Sequence, residues 1–287
     1  SFMKKTSKPV QSPIVDNTIL DLTVKWPVVE PVYKKVVSKL SKTIKLDGFR
    51  KGKAPLKIAK AQLNPEVVVQ QVLNKVLPQA YSDLIKSQDK KPITEPEFQP
   101  VSLEENHDWQ LKVIVAFKPD ITVKNYQKIV KEAKKQIKKV ATEVKEKATD
   151  KKAQEEKTLQ AIYQALVQKI EPKVPELLLK QETRHELEHL VRRLEAMKVG
   201  LDDYLKQTQQ TFEQLSQQMA IFSLSRIQLS FIFEAIAQEE KFQAEEKEIK
   251  ASMDKLPEYQ KNNPDVIASF KASVLEQKVV KHLLSLN

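Results

Sequence analysis

At 287 residues, 40% apolar and 30% charged, the chain is long enough for more than one domain and apolar enough to build their cores. It contains no cysteine, which excludes a disulfide, a thiolate nucleophile and a zinc–thiolate centre, and no run is read as approaching the ~18 apolar residues of a membrane span. The net charge of +11 is uneven: +7 over residues 1–120, +6 over 121–158 and −2 over 159–287, so the basic part attracts polyanions in a salt-dependent way and the rest does not.

The start, Met3 to Pro9, is basic but has no apolar continuation; it does not read as a signal peptide, and a cytoplasmic protein is expected. Leu20, Leu22 and Val24 alternate with polar residues, a half-buried strand. Pro27 opens a helix whose stripe is Val28, Val32, Val36 and Leu40, widened by Val29 and Val37. Two of the chain's three glycines then fall in Gly48-Phe49-Arg50-Lys51-Gly52-Lys53-Ala54-Pro55. Glycine serves where a backbone needs positive φ or a close approach, so this is a shaped, exposed tip carrying Phe49, Arg50, Lys51 and Lys53. Pro55 sets φ for a short helix.

Asn64-Pro65, a cap and an N1 proline, starts a third helix with Val68, Val72, Val76 and Leu77 on one side, bent at Pro78 and ending near Ile85. Pro92, Pro96 and Pro100 keep the next stretch extended. A turn over residues 105–108 leads into Trp109, Leu111, Val113, Val115 and Phe117, the clearest strand pattern in the chain. This α+β domain closes near Lys118-Pro119-Asp120.

Almost everything after 120 has helical periodicity. Residues 121–158 are Lys-, Glu- and Ala-rich and thinly apolar, a basic solvated arm or linker. Apolar content returns at Leu159, Ile162, Leu166 and Ile170. A long helix from Val174-Pro175 runs through Leu178, Leu187, Leu190 and Leu194 and stops with Gly200 at C′. A short turn spans Asp202 to Leu205. Thr211 and Gln214 form a capping-box pair for a helix of about thirty residues. Two further helices cover residues 245–256 and 264–284.

The string Gly48-Phe49-Arg50-x-Gly52-Lys53-x-Pro55 resembles the ribosome-binding signature of bacterial trigger factors. Leu201-Asp202-Asp203-Tyr204-Leu205, Glu171 to Glu176 before a long charged helix, Phe233 to Ala237, and Asn263-Pro264 with Leu275 to Val280 follow the same family's C-terminal pattern in order. The resemblance covers residues ~15–125 and ~158–284. It implies an α+β architecture: a small N-terminal ribosome-binding domain (1–120), the basic helical arm (121–158) and an elongated all-α chaperone domain with helical arms (159–287).

The implied function is ATP-independent chaperoning beside the exit tunnel of the large ribosomal subunit. There Gly48, Phe49, Arg50, Lys51, Gly52, Lys53 and Pro55 would meet a ribosomal protein and adjacent ribosomal RNA. Nascent or unfolded polypeptides are the clients, contacted by Met197, Met219, Phe222, Phe231 and Phe233; ordinary core packing is the competing role for each. The resemblance admits a homodimer off the ribosome and calls for no cofactor, metal or membrane. Trigger factors usually carry an FK506-binding-type prolyl isomerase domain between these parts. No glycine lies between Gly52 and Gly200, and residues 127–158 lack aromatics and strand alternation, so that domain, and its enzyme activity, is expected to be absent.

Two readings from other classes remain. His185-Glu186-Leu187-Glu188-His189 satisfies the H-E-x-x-H pattern of zinc peptidases. Arg192 and Glu195 stand where a metzincin continuation needs Gly and His, and Arg184 and Glu188 make the helix a solvent-facing one, so no catalytic residue is assigned. A basic helical RNA-binding protein is the other reading, weakened because the basic half shows no stacking platform of the kind sequence-specific RNA modules use.

Overall fold

The computed structural model describes residues 12–89, 91–144 and 151–286. The chain divides into one unit over Asp16–Lys118 and a second formed by the remainder. The second unit includes the first strand, β1 (Ile14–Val15).

The Asp16–Lys118 unit has a three-stranded antiparallel sheet in the order β2 (Thr18–Val24), β4, β3, where β3 is Glu97–Ser102 and β4 Trp109–Val115. The central strand β4 buries Trp109, Leu111, Val113 and Val115 on one face, as the period-2 pattern requires. Leu22 and Val24 of β2 join them. Pro100 sits in edge strand β3, where proline is tolerated, and the register shifts between Pro100 and Ser102.

Helices α1 (Trp26–Ser41) and α3 (Pro65–Lys86) complete this core. Helix α1 turns Val29, Val36 and Val37 inward and leaves Val28 exposed, so the predicted stripe is rotated toward the Val29 side. Its first N–H, on Trp26, donates to Asp108 Oδ1 at 2.8 Å, and Lys25 Nζ donates to Oδ2 at 2.8 Å. These bonds hold the Asp108 carboxyl below its usual range, the Lys25 bond first. Asn64 Oδ1 accepts from Glu66 N at 2.9 Å, the expected cap of α3. That helix continues through Pro78 to Lys86.

The second unit contains α4 (Tyr126–Val144), α5 (Lys151–Ile170), β5 (Val174–Pro175), α6 (Glu176–Ala196), α7 (Leu201–Thr208), α8 (Phe212–Glu239), α9 (Glu246–Ser252), α10 (Glu258–Lys261) and α11 (Pro264–Ser285). Its main core joins Tyr126, Val130 and Ala133 of α4, Ile162 and Leu166 of α5, Ile232, Phe233 and Ile236 of α8, and Val279 and Leu283 of α11. A smaller core unites Leu190 and Leu194 of α6 with Leu215 of α8, flanked by residues of α7. Strand β1 pairs in parallel with β5, Ile14 opposite Val174. Val174 N donates to Pro13 O at 2.8 Å, and Lys173 Nζ to Ser12 O at 2.9 Å.

Four expectations change. The stretch 121–158, expected as a solvated arm, places one face of α4 in the main core; residues 145–150 of it lie outside the described residues. Gly200 is the N-cap of α7 with φ −75, not the C′ residue of α6. Lys198 holds that left-handed position (φ 59), with Val199 N bonded to Leu194 O in a Schellman closure. The short turn after it is a two-turn helix, α7. Finally, α8 has the length and composition to cross a bilayer, which the run-based reading missed, yet its C-terminal half fills the main core. The Thr211–Gln214 capping box that starts it is present as expected.

The ends of three helices meet at Tyr126. Its hydroxyl donates to Glu240 Oε1 at 2.5 Å and lies 2.7 Å from His282 Nε2. Burial first, and then the Glu240 carboxylate, push the phenol up to about 12. Nearby, Lys134 Nζ donates to the carbonyls of Leu284 at 2.7 Å and Leu286 at 2.5 Å, tying the end of α11 to α4.

Candidate functional site

Two consecutive turns shape the glycine loop. Phe49 N donates to Leu46 O at 3.1 Å and Lys53 N to Arg50 O at 2.9 Å. Each turn places a glycine third, Gly48 with φ 80 and Gly52 with φ 74, where such a turn requires left-handed backbone. Gly52 also packs against the end of α1: a Cβ there would meet Lys42 O at 2.9 Å. Phe49, Arg50, Lys51 and Lys53 are all exposed, Phe49 at 39%. Pro55 is the N-cap of α2 (Leu56–Ala61) rather than its first residue, with its carbonyl accepting from Ile58 N and Ala59 N at 3.0 Å.

Behind the tip, α2 is anchored by Lys60. Its ammonium lies 2.6 Å from Glu105 Oε1 and 5.4 Å from the centre of the Tyr33 ring. Tyr33 OH donates to Glu105 at 3.1 Å. Burial, and then the Glu105 charge, raise the Tyr33 phenol above its usual value. Leu56 and Ile58 of α2 are exposed beside the loop's end. Sequence reasoning missed them, because a six-residue helix offers too little periodicity to assign a face.

The five expected client contacts separate. Met197 (64% exposed) and Phe222 (58%) lie on the surface, and Met219 is partly buried against the small core. Phe231 (7%) and Phe233 (6%) are core residues, which corrects their assignment as client contacts. Phe233 meets Tyr163 of α5 edge-on, centroids 5.4 Å apart. Phe212 and Ile221 are exposed on α8 and were not anticipated. That helix is apolar on most sides, so periodicity assigns it no inner face.

The H-E-x-x-H string lies within α6 with both histidines exposed. Glu186, which a peptidase would use as general base, is ion-paired to Arg226 of α8, and Glu182 pairs with the same guanidinium at 2.5 Å. Among the described residues, no three His, Asp or Glu side chains converge to hold a metal.

The family model for bacterial trigger factor protein matches residues 11–156, and the model for the C-terminus of the same family matches residues 122–285. Each spans more than half of the chain. The chain belongs to the trigger factor family.

The trigger factor of Mycolicibacterium smegmatis is 32% identical over 110 residues, which are 38% of this chain and 24% of that protein. Trigger factor of Lactiplantibacillus plantarum is 34% identical over 95 residues, 33% of this chain and 22% of the relative. The chain thus spans about a quarter of the length of the curated trigger factors it matches. A solved structure, described under "Promiscuous Substrate Recognition in Folding and Assembly Activities of the Trigger Factor Chaperone", aligns with 98% of this chain and 99% of that chain. Its TM-score is 0.53 at 13% identity, a likeness of fold.

Proposed function

We propose that this chain is an ATP-independent, cytoplasmic chaperone that docks at the large ribosomal subunit and shields apolar segments of nascent or unfolded polypeptides. The observation that carries the reading is the loop. Two left-handed glycines hold Phe49, Arg50 and Lys51 in solvent, inside the segment matched by the N-terminal family model. An aromatic between cations fits a surface of protein and RNA phosphate, with Arg50, Lys51 and Lys53 supplying the salt-dependent part.

Client capture falls to the second unit. Met197, Phe212, Ile221 and Phe222 offer exposed apolar surface of the adaptable kind that suits varied sequences, worth about 25 cal/mol per Å² buried. The two family models overlap over residues 122–156 and leave no residues between them. This supports a chaperone without the isomerase domain and without proline isomerase catalysis. A homodimer off the ribosome belongs to the same reading.

Ribosome co-sedimentation tests the docking. Replacing Phe49, Arg50 and Lys51 together by Ala should reduce the ribosome-bound fraction at least about tenfold, the loss of one or more hot-spot side chains, while the Trp fluorescence of the first unit stays native. A variant that co-sediments like the parent would refute the docking assignment.

A further inference from the structure

Helix α4 is two-faced. Tyr126, Val130 and Ala133 are buried in the main core, with Ile129 partly buried against it. At about 100° per residue, Lys128, Lys131, Lys135 and Lys139 fall within an arc of about 80° on the opposite side, and all four are exposed. Over residues 121–144 the sequence holds seven lysines against two acids, Glu132 and Glu143; Glu132 falls at the edge of the arc, about 20° beyond Lys139. None of these four lysines forms an ion pair among the described residues. By contrast, Lys134, on the flank, donates to the carbonyls of Leu284 and Leu286 and is structural. The exposed acids nearest in sequence on the neighbouring helix α5 are Glu155 and Glu156.

We propose that this α4 face is a binding surface for the phosphate backbone of RNA, separate from the glycine loop. Lys128 to Lys139 span about 16 Å of helix, a length over which a nucleic-acid duplex presents several phosphates. With no ion pair among the described residues to break, the four ammonium groups of the stripe exchange their counter-anions for phosphates. An anionic bilayer is the poorer partner. A basic helix holds a membrane by inserting its apolar face, and that face of α4 is already occupied by α5, α8 and α11. No aromatic stands on the lysine face, so the contact reads charge and backbone, not base sequence. The inference does not depend on the docking loop.

The test uses the full chain and a fluorescein-labelled RNA duplex, followed by fluorescence polarisation between about 50 and 200 mM salt. A variant with Lys128, Lys131, Lys135 and Lys139 all replaced by Gln should bind about tenfold more weakly or worse. Its slope of log affinity against log salt should be smaller by about 3.6. Changing the same four lysines to Arg should retain binding, which separates loss of charge from loss of fold. A control of equal charge, with Lys206, Lys247, Lys255 and Lys271 changed to Gln, should stay within about twofold of the parent. Adding the four Gln changes to the Phe49, Arg50 and Lys51 to Ala variant should lower duplex affinity about tenfold further, so failure of the loop reading and of this one are distinguishable. The proposal is overturned if the α4 Gln variant binds like the parent, if the control loses as much, or if the parent binds phosphatidylglycerol vesicles and not the duplex.

Discussion

A Cβ on Gly52 would press on the Lys42 carbonyl oxygen at 2.9 Å, whereas one on Gly48 would meet open space. Both glycines are left-handed, a conformation costing an L-residue about 1–2 kcal/mol. Gly48→Ala should therefore destabilise by about 1 kcal/mol, and Gly52→Ala by clearly more, because backbone and not a flexible side chain blocks the way. The chain's two tryptophans, Trp26 and Trp109, both lie in the Asp16–Lys118 unit. Urea unfolding followed by Trp fluorescence reads that unit alone, and equal midpoints for the two variants would contradict the close approach. Gly52→Ala should also weaken ribosome association, since it displaces the tip from α1.

At the scale of the element, α8 has a C-terminal half in the main core and an N-terminal half that exposes Phe212, Ile221 and Phe222. Phe231→Ser or Phe233→Ser removes a core aromatic and should cost about 3–5 kcal/mol, seen as early loss of helical circular dichroism. Phe222→Ser should leave stability within about 0.5 kcal/mol and instead weaken suppression of client aggregation. A Phe222 variant as unstable as the Phe231 variant would show that α8 is oriented otherwise. The junction of α4, the end of α8 and α11 carries a pH dependence. Tyr126 is at about 12 in the fold against an ordinary 10.0. The unfolded chain therefore loses this proton first as pH rises. The contribution is complete below about pH 10 and is lost between about 10 and 12. Tyr126→Phe should lower stability at pH 8 and narrow its gap to the parent across that window, as followed by melts of the helical signal.

For the whole molecule, the chain starts its described course in the second unit, at β1, makes the first unit, and returns at Pro119. Strand β1 supplies β5 with its partner, and Ser12 O and Pro13 O accept from Lys173 and Val174. Deleting residues 1–15 should lower the melting temperature of the helical unit by several degrees, at about 1 kcal/mol for each hydrogen bond removed. The Trp-detected unfolding of the other unit should not move. A helical unit prepared from residue 119 onward lacks this strand. Under the proposed function, it should suppress client aggregation less well than a sample supplied with the β1 peptide.

How far sequence suffices is visible element by element. The β4 alternation, the Asn64 cap, the Thr211–Gln214 box and the two left-handed glycines are local physics: pleat period, orphan N–H groups and φ > 0 act within a few residues. The order of motifs around them carried the family. The fates of Phe222 and Phe233 were not local. Both stand on one helix that is apolar on most sides, and only the packing of α5 and α11 against its C-terminal half made one a core residue and left the other in water. The same holds for α4, whose few apolar residues looked too sparse for a core until α5, α8 and α11 closed over them. Long-range contacts select which face of a helix is buried, and no spacing along the chain encodes the neighbour that will cover it.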